Sequence, residues 1–288
     1  MIKLIAADMD GTLINRKHIL SPENCAMIHA AQKHGIRFVV ATGRFYKEVH
    51  TILSKYNISC ECITMNGAEY YNKDGQCING IYFSKEKARE ILDFMKADGK
   101  FAIEMYTNRG CYTADSRLKF FFGFMKRAHV YHADYSLLQR IFYTLCNTHF
   151  HQIHYIKDMN DLIMQNINIA KFISYSDNPL SIHNLKEKLK IIDDIAVSGS
   201  FTTNVEINEK TATKGNILHK IAEQDNIQEN EVMVIGDGLN DLSMFQEFPT
   251  NSAAMGNAAP EVKNIASFIT TDCDHSGVAK AINNVLTC

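Results

Sequence analysis

The sequence has no surplus of charge of either sign. Lysine and arginine number 30 against 32 aspartates and glutamates, a formal balance of −2. No broad basic field exists to hold a nucleic-acid backbone or an anionic membrane, and no acidic tail either. Any bound anion must be caught by a local site. Paired cysteine spacings are missing as well. Eight cysteines are scattered along 288 residues without the pattern of a disulfide framework or a zinc knuckle. The close pair Cys60 and Cys62 lies in an apolar stretch, as buried thiols do, so a reduced cytosolic compartment is the expectation. No stretch approaches the roughly 18 apolar residues of a spanning helix, and acids arrive at Asp8 and Asp10 where a signal peptide would still be apolar. A cytoplasmic location is therefore expected. There is no linker rich in proline, glycine and serine, no repeat and no low-complexity run. At 46% apolar and 22% charged the chain is close to the globular average, which excludes disordered and fibrous architectures.

The length allows one large domain or two ordinary ones, since single cores stop growing at roughly 250–300 residues. Residues 2–7 are apolar almost throughout, as in a strand covered on both faces. Ser21 and Pro22 open a helix that Gly35 closes. Residues 37–41 form a second buried strand ending at Thr42-Gly43-Arg44, and a third, near 62–65, ends at Asn66-Gly67. The rhythm returns late in the chain. Residues 214–224 read as a helix and 231–235 as a strand running into Gly236-Asp237-Gly238-Leu239-Asn240-Asp241, with short strands at 253–255 and 266–270. This alternation predicts right-handed crossovers and a parallel sheet, with sites at the carboxyl ends of its strands where strand order reverses.

Between residues 84 and 208 the texture changes. A helix over 85–97, hairpins over 101–106 with 110–114 and over 195–199 with 204–207, a strand over 171–175 and a helix over 178–190 predict an α+β domain inserted into the first. Residues 128–168 carry the weakest pattern.

Asp8 and Asp10, two apart on an extended segment, project to one side. Such a pair repels unless a cation lies between the carboxylates or one is protonated. Mg2+ suits the place, because it takes oxygen ligands and keeps several waters, and Asp237 can supply a further carboxylate. A calcium-binding EF-hand is excluded. Counted from Asp8, positions six and twelve are Leu13 and Ile19; counted from Ala6 they are Gly11 and Lys17, and neither frame has both the glycine and the glutamate. Solvated turn acids are the alternative. Thr42-Gly43 offers a hydroxyl and unobstructed amides, and Lys214-Gly215 places an ammonium at a helix start. No Walker sequence occurs, so the chemistry is not that of a P-loop. His149, His151 and His154 have a spacing that fits no single helix face, Phe120 to Phe122 and Phe124 read as packing, and Asp272 and Asp274 read as solvated acids of a turn. Arg44, Phe45 and Tyr46 are candidates for touching substrate.

Together the blocks resemble the haloacid dehalogenase superfamily of aspartate-nucleophile phosphohydrolases. Asp8-Met9-Asp10-Gly11-Thr12-Leu13 is similar to its first motif, Thr42-Gly43-Arg44 to its second, Lys214-Gly215 to its third and Gly236-Asp237-Gly238-Leu239-Asn240-Asp241 to its fourth. Asn66-Gly67-Ala68, Ala254-Met255-Gly256-Asn257-Ala258 and Gly277-Val278-Ala279 resemble the Cof-like branch, which carries a type IIB cap between motifs two and three. One departure is Thr211, which stands where relatives have a glycine ahead of the motif lysine.

The resemblance implies an α/β fold with a Rossmann-like parallel-sheet core of residues 1–83 and 209–288 and an inserted α+β cap over 84–208, acting as a lid. It implies Asp8 as nucleophile, forming an aspartyl-phosphate, and Asp10 as general acid and base. Mg2+ would be held by the Asp8 carboxylate, the Asp10 backbone carbonyl and Asp237, with Asp241 organising the ion's waters. Met9, Gly11, Thr12, Thr42, Gly43, Lys214 and Asn240 would hold the phosphoryl oxygens, and Arg44 and Asn66 would approach the substrate. The activity implied is hydrolysis of small phosphorylated metabolites, sugar phosphates first, by a monomer or weak homo-oligomer with no nucleic-acid or membrane partner. A phosphomutase or phosphotransferase using the same intermediate, and a phospho-ligand sensor, are the alternatives.

Overall fold

A computed structural model of the chain describes residues 1–98, 101–131, 135–199 and 202–286. The first strand, β1 (Leu4–Ala7), is buried along its whole length. Helix α1 (Pro22–Lys33) starts where the Ser21 hydroxyl accepts the amide of Asn24 and Pro22 occupies the first turn. β2 (Arg37–Ala41), α2 (Tyr46–Leu53) and β3 (Glu61–Thr64) follow, and β4 (Glu69–Tyr71) and β5 (Cys77–Gly80) then fold back as a hairpin.

The middle of the chain forms α3 (Lys85–Asp98), β6 (Ala102–Thr107), β7 (Gly110–Thr113), α4 (Arg117–Tyr131), α5 (Leu137–Cys146), α6 (Thr148–Gln152), β8 (His154–Tyr155), α7 (Met159–Met164), β9 (Ile169–Tyr175), α8 (Pro179–Leu189), β10 (Ile195–Ser198) and β11 (Asn204–Glu209). The remainder is α9 (Lys214–Gln224), β12 (Val232–Gly236), α10 (Leu242–Glu247), β13 (Ser252–Ala254), α11 (Pro260–Ile265), β14 (Phe268–Ile269) and α12 (Gly277–Leu286). Two compact units result, Met1–Ile81 with Thr211–Cys288, and Tyr82–Lys210.

The first unit is built on an eight-stranded sheet in the order β14-β13-β12-β1-β2-β3-β4-β5. The strands from β14 to β3 are parallel, with Leu4 of β1 opposite Val232 on one side and Arg37 on the other. Their apolar runs are covered on both faces, as a parallel sheet requires. Because β1 lies between β12 and β2, chain order runs outward from it in both directions. That makes the carboxyl edge at β1, β2 and β12 the reversal point where sites form. The β4–β5 hairpin adds two antiparallel strands that the sequence pattern did not anticipate. Its turn is organised by Asn72, whose side-chain oxygen accepts the amides of Asp74 and Gln76.

The second unit has a six-stranded sheet, β10-β11-β9-β6-β7-β8, antiparallel except for the β7–β8 pair. One face is apolar: Ile103, Met105, Phe172, Val205 and Ile207 pack with Leu92, Leu162 and Leu185 from α3, α7 and α8. The alternate positions carry polar groups, as a period of two dictates. Lys171 there pairs with Glu206 at 2.9 Å, and Glu104 is held by Arg127 at 2.7 Å and His149 at 2.8 Å. The three histidines do not converge: His151 bonds the Leu145 carbonyl and His154 lies against Tyr112. Phe120 and Phe124 are buried in an aromatic cluster with Phe150, whereas Phe122 is exposed.

Candidate active site

The site is assembled from loops that leave the same sheet edge of the first unit. Asp8 follows β1 directly, and its amide still donates to Ile235 of β12 at 2.9 Å. The turn after it is tight: Leu13 and Ile14 donate back to the carbonyls of Asp8 and Met9. Gly11 has φ +80°, and a Cβ there would stand 2.4 Å from an oxygen of Asp237, so both conformation and close approach require glycine. The first and fourth loops are tied across this contact. The Thr12 hydroxyl donates to Asp237 Oδ1 at 2.7 Å. Asn257, beyond β13, donates from Nδ2 to the Gly11 carbonyl at 2.8 Å and to Asp237 Oδ2 at 3.1 Å.

Lys214 stands at the first turn of α9, where the Thr213 hydroxyl accepts the amide of Asn216. Its ammonium is fully buried and donates to Asp8 Oδ1 and Asp241 Oδ1, both at 2.6 Å. The other Asp241 oxygen accepts the amides of Asp237 and Gly238, each at 2.9 Å, so Asp241 braces the loop while Lys214 links it to Asp8. Gly215 makes this approach possible: a Cβ there would lie 2.1 Å from the Ser243 carbonyl oxygen.

Charge in the site is unbalanced. Among the described residues, Asp8, Asp10, Asp237 and Asp241 face Lys214 and Arg44 as cations, with His18 also beside Asp10. Burial, and then the charge of Asp241, push the Asp8 carboxyl well above its usual range, although Lys214 opposes the shift. The same two causes push Asp237 up to about 7. Lys214 is driven the other way: burial disfavours its charge, but Asp241 and Asp8 outweigh that and hold the ammonium protonated. Oxygens of Asp8, Asp237 and Asp241 lie within 4.8 Å of one another. An excess of buried carboxylate with an all-oxygen donor set fits a hard divalent cation.

Asp10 is apart from this cluster. Arg44 grips it through two hydrogen bonds of 2.6 Å, Nε to Oδ2 and Nη2 to Oδ1, and His18 Nδ1 is 3.6 Å from Oδ1. Burial works to raise the Asp10 carboxyl, but the hydrogen bonds and charge of Arg44, helped by His18, hold it well below the usual carboxylate range.

Residues 5–282 match the family model of the haloacid dehalogenase-like hydrolases. The chain belongs to that family. Phosphatase YwpJ of Bacillus subtilis is 30% identical over 300 residues, spanning 99% of this chain and 100% of that protein. The 5-amino-6-(5-phospho-D-ribitylamino)uracil phosphatase YwtE of the same organism is 29% identical over 291 residues, covering 99% of each. A solved haloacid dehalogenase-like hydrolase from B. subtilis superposes with a TM-score of 0.87 at 28% identity, covering 99% of this chain and 100% of that one. This haloacid dehalogenase-like hydrolase is a phosphatase. No helix among its described residues is long and apolar enough to cross a membrane.

Of the residues singled out from sequence, this hydrolase brings Asp8, Thr12, Lys214, Asp237 and Asp241 into one hydrogen-bonded set. Thr42 follows β2 and is buried, its hydroxyl accepting the Arg44 amide at 3.2 Å. Gly43 separates the two. Asn240 donates to the side chain of Asn66 at 3.2 Å, and Asn66 itself takes a left-handed conformation with φ 62°. The Met9 side chain is core, leaving only its backbone at the loop. Arg44 is engaged with Asp10, and Tyr46 stacks on Tyr71 with ring centroids 4.1 Å apart, as a packing residue does. Asp272 accepts the amides of Asp274 and His275, and Asp274 pairs with Arg16 at the surface. Two residues were given no individual role from sequence, Asn257 and His18. For Asn257 a signal existed: an amide side chain in the glycine-bearing loop after a strand of the same sheet. For His18 there was none.

Proposed function

We propose that this phosphatase hydrolyses small phosphate monoesters through a phosphorylated Asp8, with Mg2+ as its cofactor. The observation that supports this best is the buried Lys214 bridging Asp8 and Asp241 beside Asp237 at the sheet edge, an ammonium that opposes the burial of the Asp8 carboxylate and holds it in place. In the first half-reaction an Asp8 oxygen attacks phosphorus, the bond to the ester oxygen breaks, and protonated Asp10 gives its proton to the leaving alkoxide. In the second, water attacks the phosphoryl group, its proton passes to Asp10, and the Asp8–phosphorus bond breaks to release inorganic phosphate. The Arg44 fork favours the carboxylate form of Asp10 that the second half uses; the first half requires the fork to loosen. Lys214, the Thr42 hydroxyl, Asn240 and the amides of Met9, Gly11, Thr12 and Gly43 would bind the phosphoryl oxygens, since phosphoryl transfer asks mainly for positioning and charge stabilisation.

The Asp8 carboxylate, the Asp10 carbonyl and Asp237 would hold Mg2+, with Asp241 orienting its waters. When bound, the ion supplies charge neutralisation for the phosphoryl group. The substrate class we favour is a phosphorylated sugar or polyol, a reading supported by the phosphoribityl compound in the name of YwtE. We infer further that the unit Tyr82–Lys210 is the type IIB cap and selects the leaving group. The seven free cysteines among the described residues suit a reducing cytosol.

The test is phosphate release from a panel of metabolite esters with and without Mg2+, for wild type and Asp8→Asn. The variant is expected to lose at least about a thousandfold in turnover. Near-wild-type hydrolysis by Asp8→Asn would remove Asp8 from the mechanism. An isomerised hexose phosphate in place of free phosphate would reassign the enzyme as a mutase.

A further inference from the structure

Helix α5 of the second unit wears its apolar side outward. Its start is fixed locally by a capping box, in which Ser136 donates its amide to Gln139 Oε1 and its hydroxyl accepts the Gln139 amide. The inward side carries the buried Thr144, with Ile141 and Tyr143 half-buried. The outward side carries Leu138, Phe142 and Leu145, which are 77%, 70% and 49% exposed. Positions i, i+4 and i+7 share one face of a helix, so these side chains form a continuous stripe. Arg140 is the only charged residue of the helix, and its Nε is bonded to the Tyr135 carbonyl.

We propose that this stripe is the contact surface of a homodimer, in which α5 packs antiparallel on α5 of a second copy across a two-fold axis at Phe142. The stripe has the symmetry such a contact needs. With Phe142 on the axis it meets its own counterpart, Leu138 meets the copy of Leu145, and Leu145 meets the copy of Leu138. The area also suits. An aromatic side chain carries about 150–250 Å² and a leucine lies near the lower end, so the three at these exposures present about 350 Å². Weakly associating interfaces bury up to about 600 Å² per partner, about 65% of it apolar in homodimers, and the stripe supplies most of that amount. The other occupants fit less well. An uncharged stripe offers a charged partner nothing to pair with, and a lone arginine already bonded to a carbonyl gives little hold on anionic lipid. The chain's small net charge of −2 sets up little repulsion between copies.

The experiment measures mass by sedimentation across the micromolar range for wild type and for Phe142→Glu, which places two like charges face to face on the axis. Wild type should dimerise. Phe142→Glu should dissociate at least about a hundredfold more readily, as interface hot spots do, while its helix content by circular dichroism stays unchanged because the residue is exposed. In a Cys146→Ser background, Phe142→Cys should cross-link to its own copy under mild oxidation, because a disulfide needs Cα atoms within about 7 Å. A wild-type protein that stays monomeric throughout, including one that instead adheres to phosphatidylglycerol vesicles, overturns the proposal. So does a Phe142→Glu variant that dimerises as wild type does.

Discussion

Replacing Asp237 with Asn should stabilise the metal-free protein while abolishing its response to Mg2+. The Asp237 carboxyl rises from an ordinary 3.8 to about 7, first through burial and then through the charge of Asp241. A carboxyl whose pKa is higher in the folded state makes the fold bind its proton more tightly than the unfolded chain does. Stability therefore falls as pH climbs from about 4 to about 7 and stays reduced above. Three units at about 1.4 kcal/mol each set a ceiling near 4 kcal/mol on the strain relieved by a neutral side chain. Solvent reaches Asp237 in part, which trims that figure. Asparagine also puts an amide N–H donor where Asp237 Oδ2 now accepts from Asn257, a loss of about 1 kcal/mol. The Thr12 hydroxyl keeps its acceptor. About 2 kcal/mol of net stabilisation remains, or roughly 4–8 °C in melting temperature for a protein of this size.

The assay is thermal unfolding in chelator at pH 5 and pH 8, repeated with excess Mg2+. Wild type should melt lower at pH 8 than at pH 5 without metal and recover when Mg2+ is added. The variant should show a smaller fall with pH, since Asp8 is still pushed upward by burial, no recovery with Mg2+, and far slower release of phosphate. An Asp237→Asn protein that is less stable than wild type in chelator at pH 8 would refute the reasoning, as would equal stabilisation of both proteins by Mg2+.

Lys214→Met should leave Asp8 and Asp241 buried without their shared cation, at a loss of about 3–5 kcal/mol, read as a lowered denaturant midpoint. Because Asp8 is already pushed upward by burial, acidification should restore part of that loss by protonating it. In wild type the stability that Lys214 supplies is complete below its ordinary 10.5 and is lost only as pH rises above that, since its folded pKa is raised. Arg44→Ala should release Asp10 from the fork that holds its carboxyl low and, because the first half-reaction uses protonated Asp10, move the alkaline limb of the kcat/KM pH profile upward by about one unit or more. Arg44→Lys should fall between, because an ammonium keeps the charge without the two-pronged geometry. An unmoved alkaline limb in Arg44→Ala would mean that Asp10 is not the group titrating there.

How much of this could be read in advance follows from where each signal resides. The parallel core was legible because β1, β2 and β12 are apolar on both faces and each stops at a loop with acids, a hydroxyl or glycine; the run of residue types is itself the record of burial. The β4–β5 hairpin was not. Glu69-Tyr70-Tyr71 and Cys77-Ile78-Asn79-Gly80 are short, and β5 lies exposed at the sheet edge, so neither alternation nor a continuous apolar run marks them. The stretch from 128 to 168 resisted for a different reason. Periodicity assumes that the apolar side of a helix faces its own core, and α5 breaks that assumption by turning Leu138, Phe142 and Leu145 outward. Within the site, sequence gives position along the chain but not the direction of a side chain. Asp8 and Asp10 sit two apart, yet Asp8 faces Lys214 whereas Asp10 is turned to Arg44. Their partners lie 206 and 34 residues away, and folding pushes the two carboxyls in opposite directions. Asp8 moves upward through burial and the charge of Asp241, against the pull of Lys214, and Asp10 moves downward, its own burial outweighed by the grip of Arg44. A nucleophile and an acid–base group need unlike proton affinities. Here the difference arises because folding buries Asp8 beside Asp241 while setting the fork of a distant arginine on Asp10, which no local spacing could have displayed.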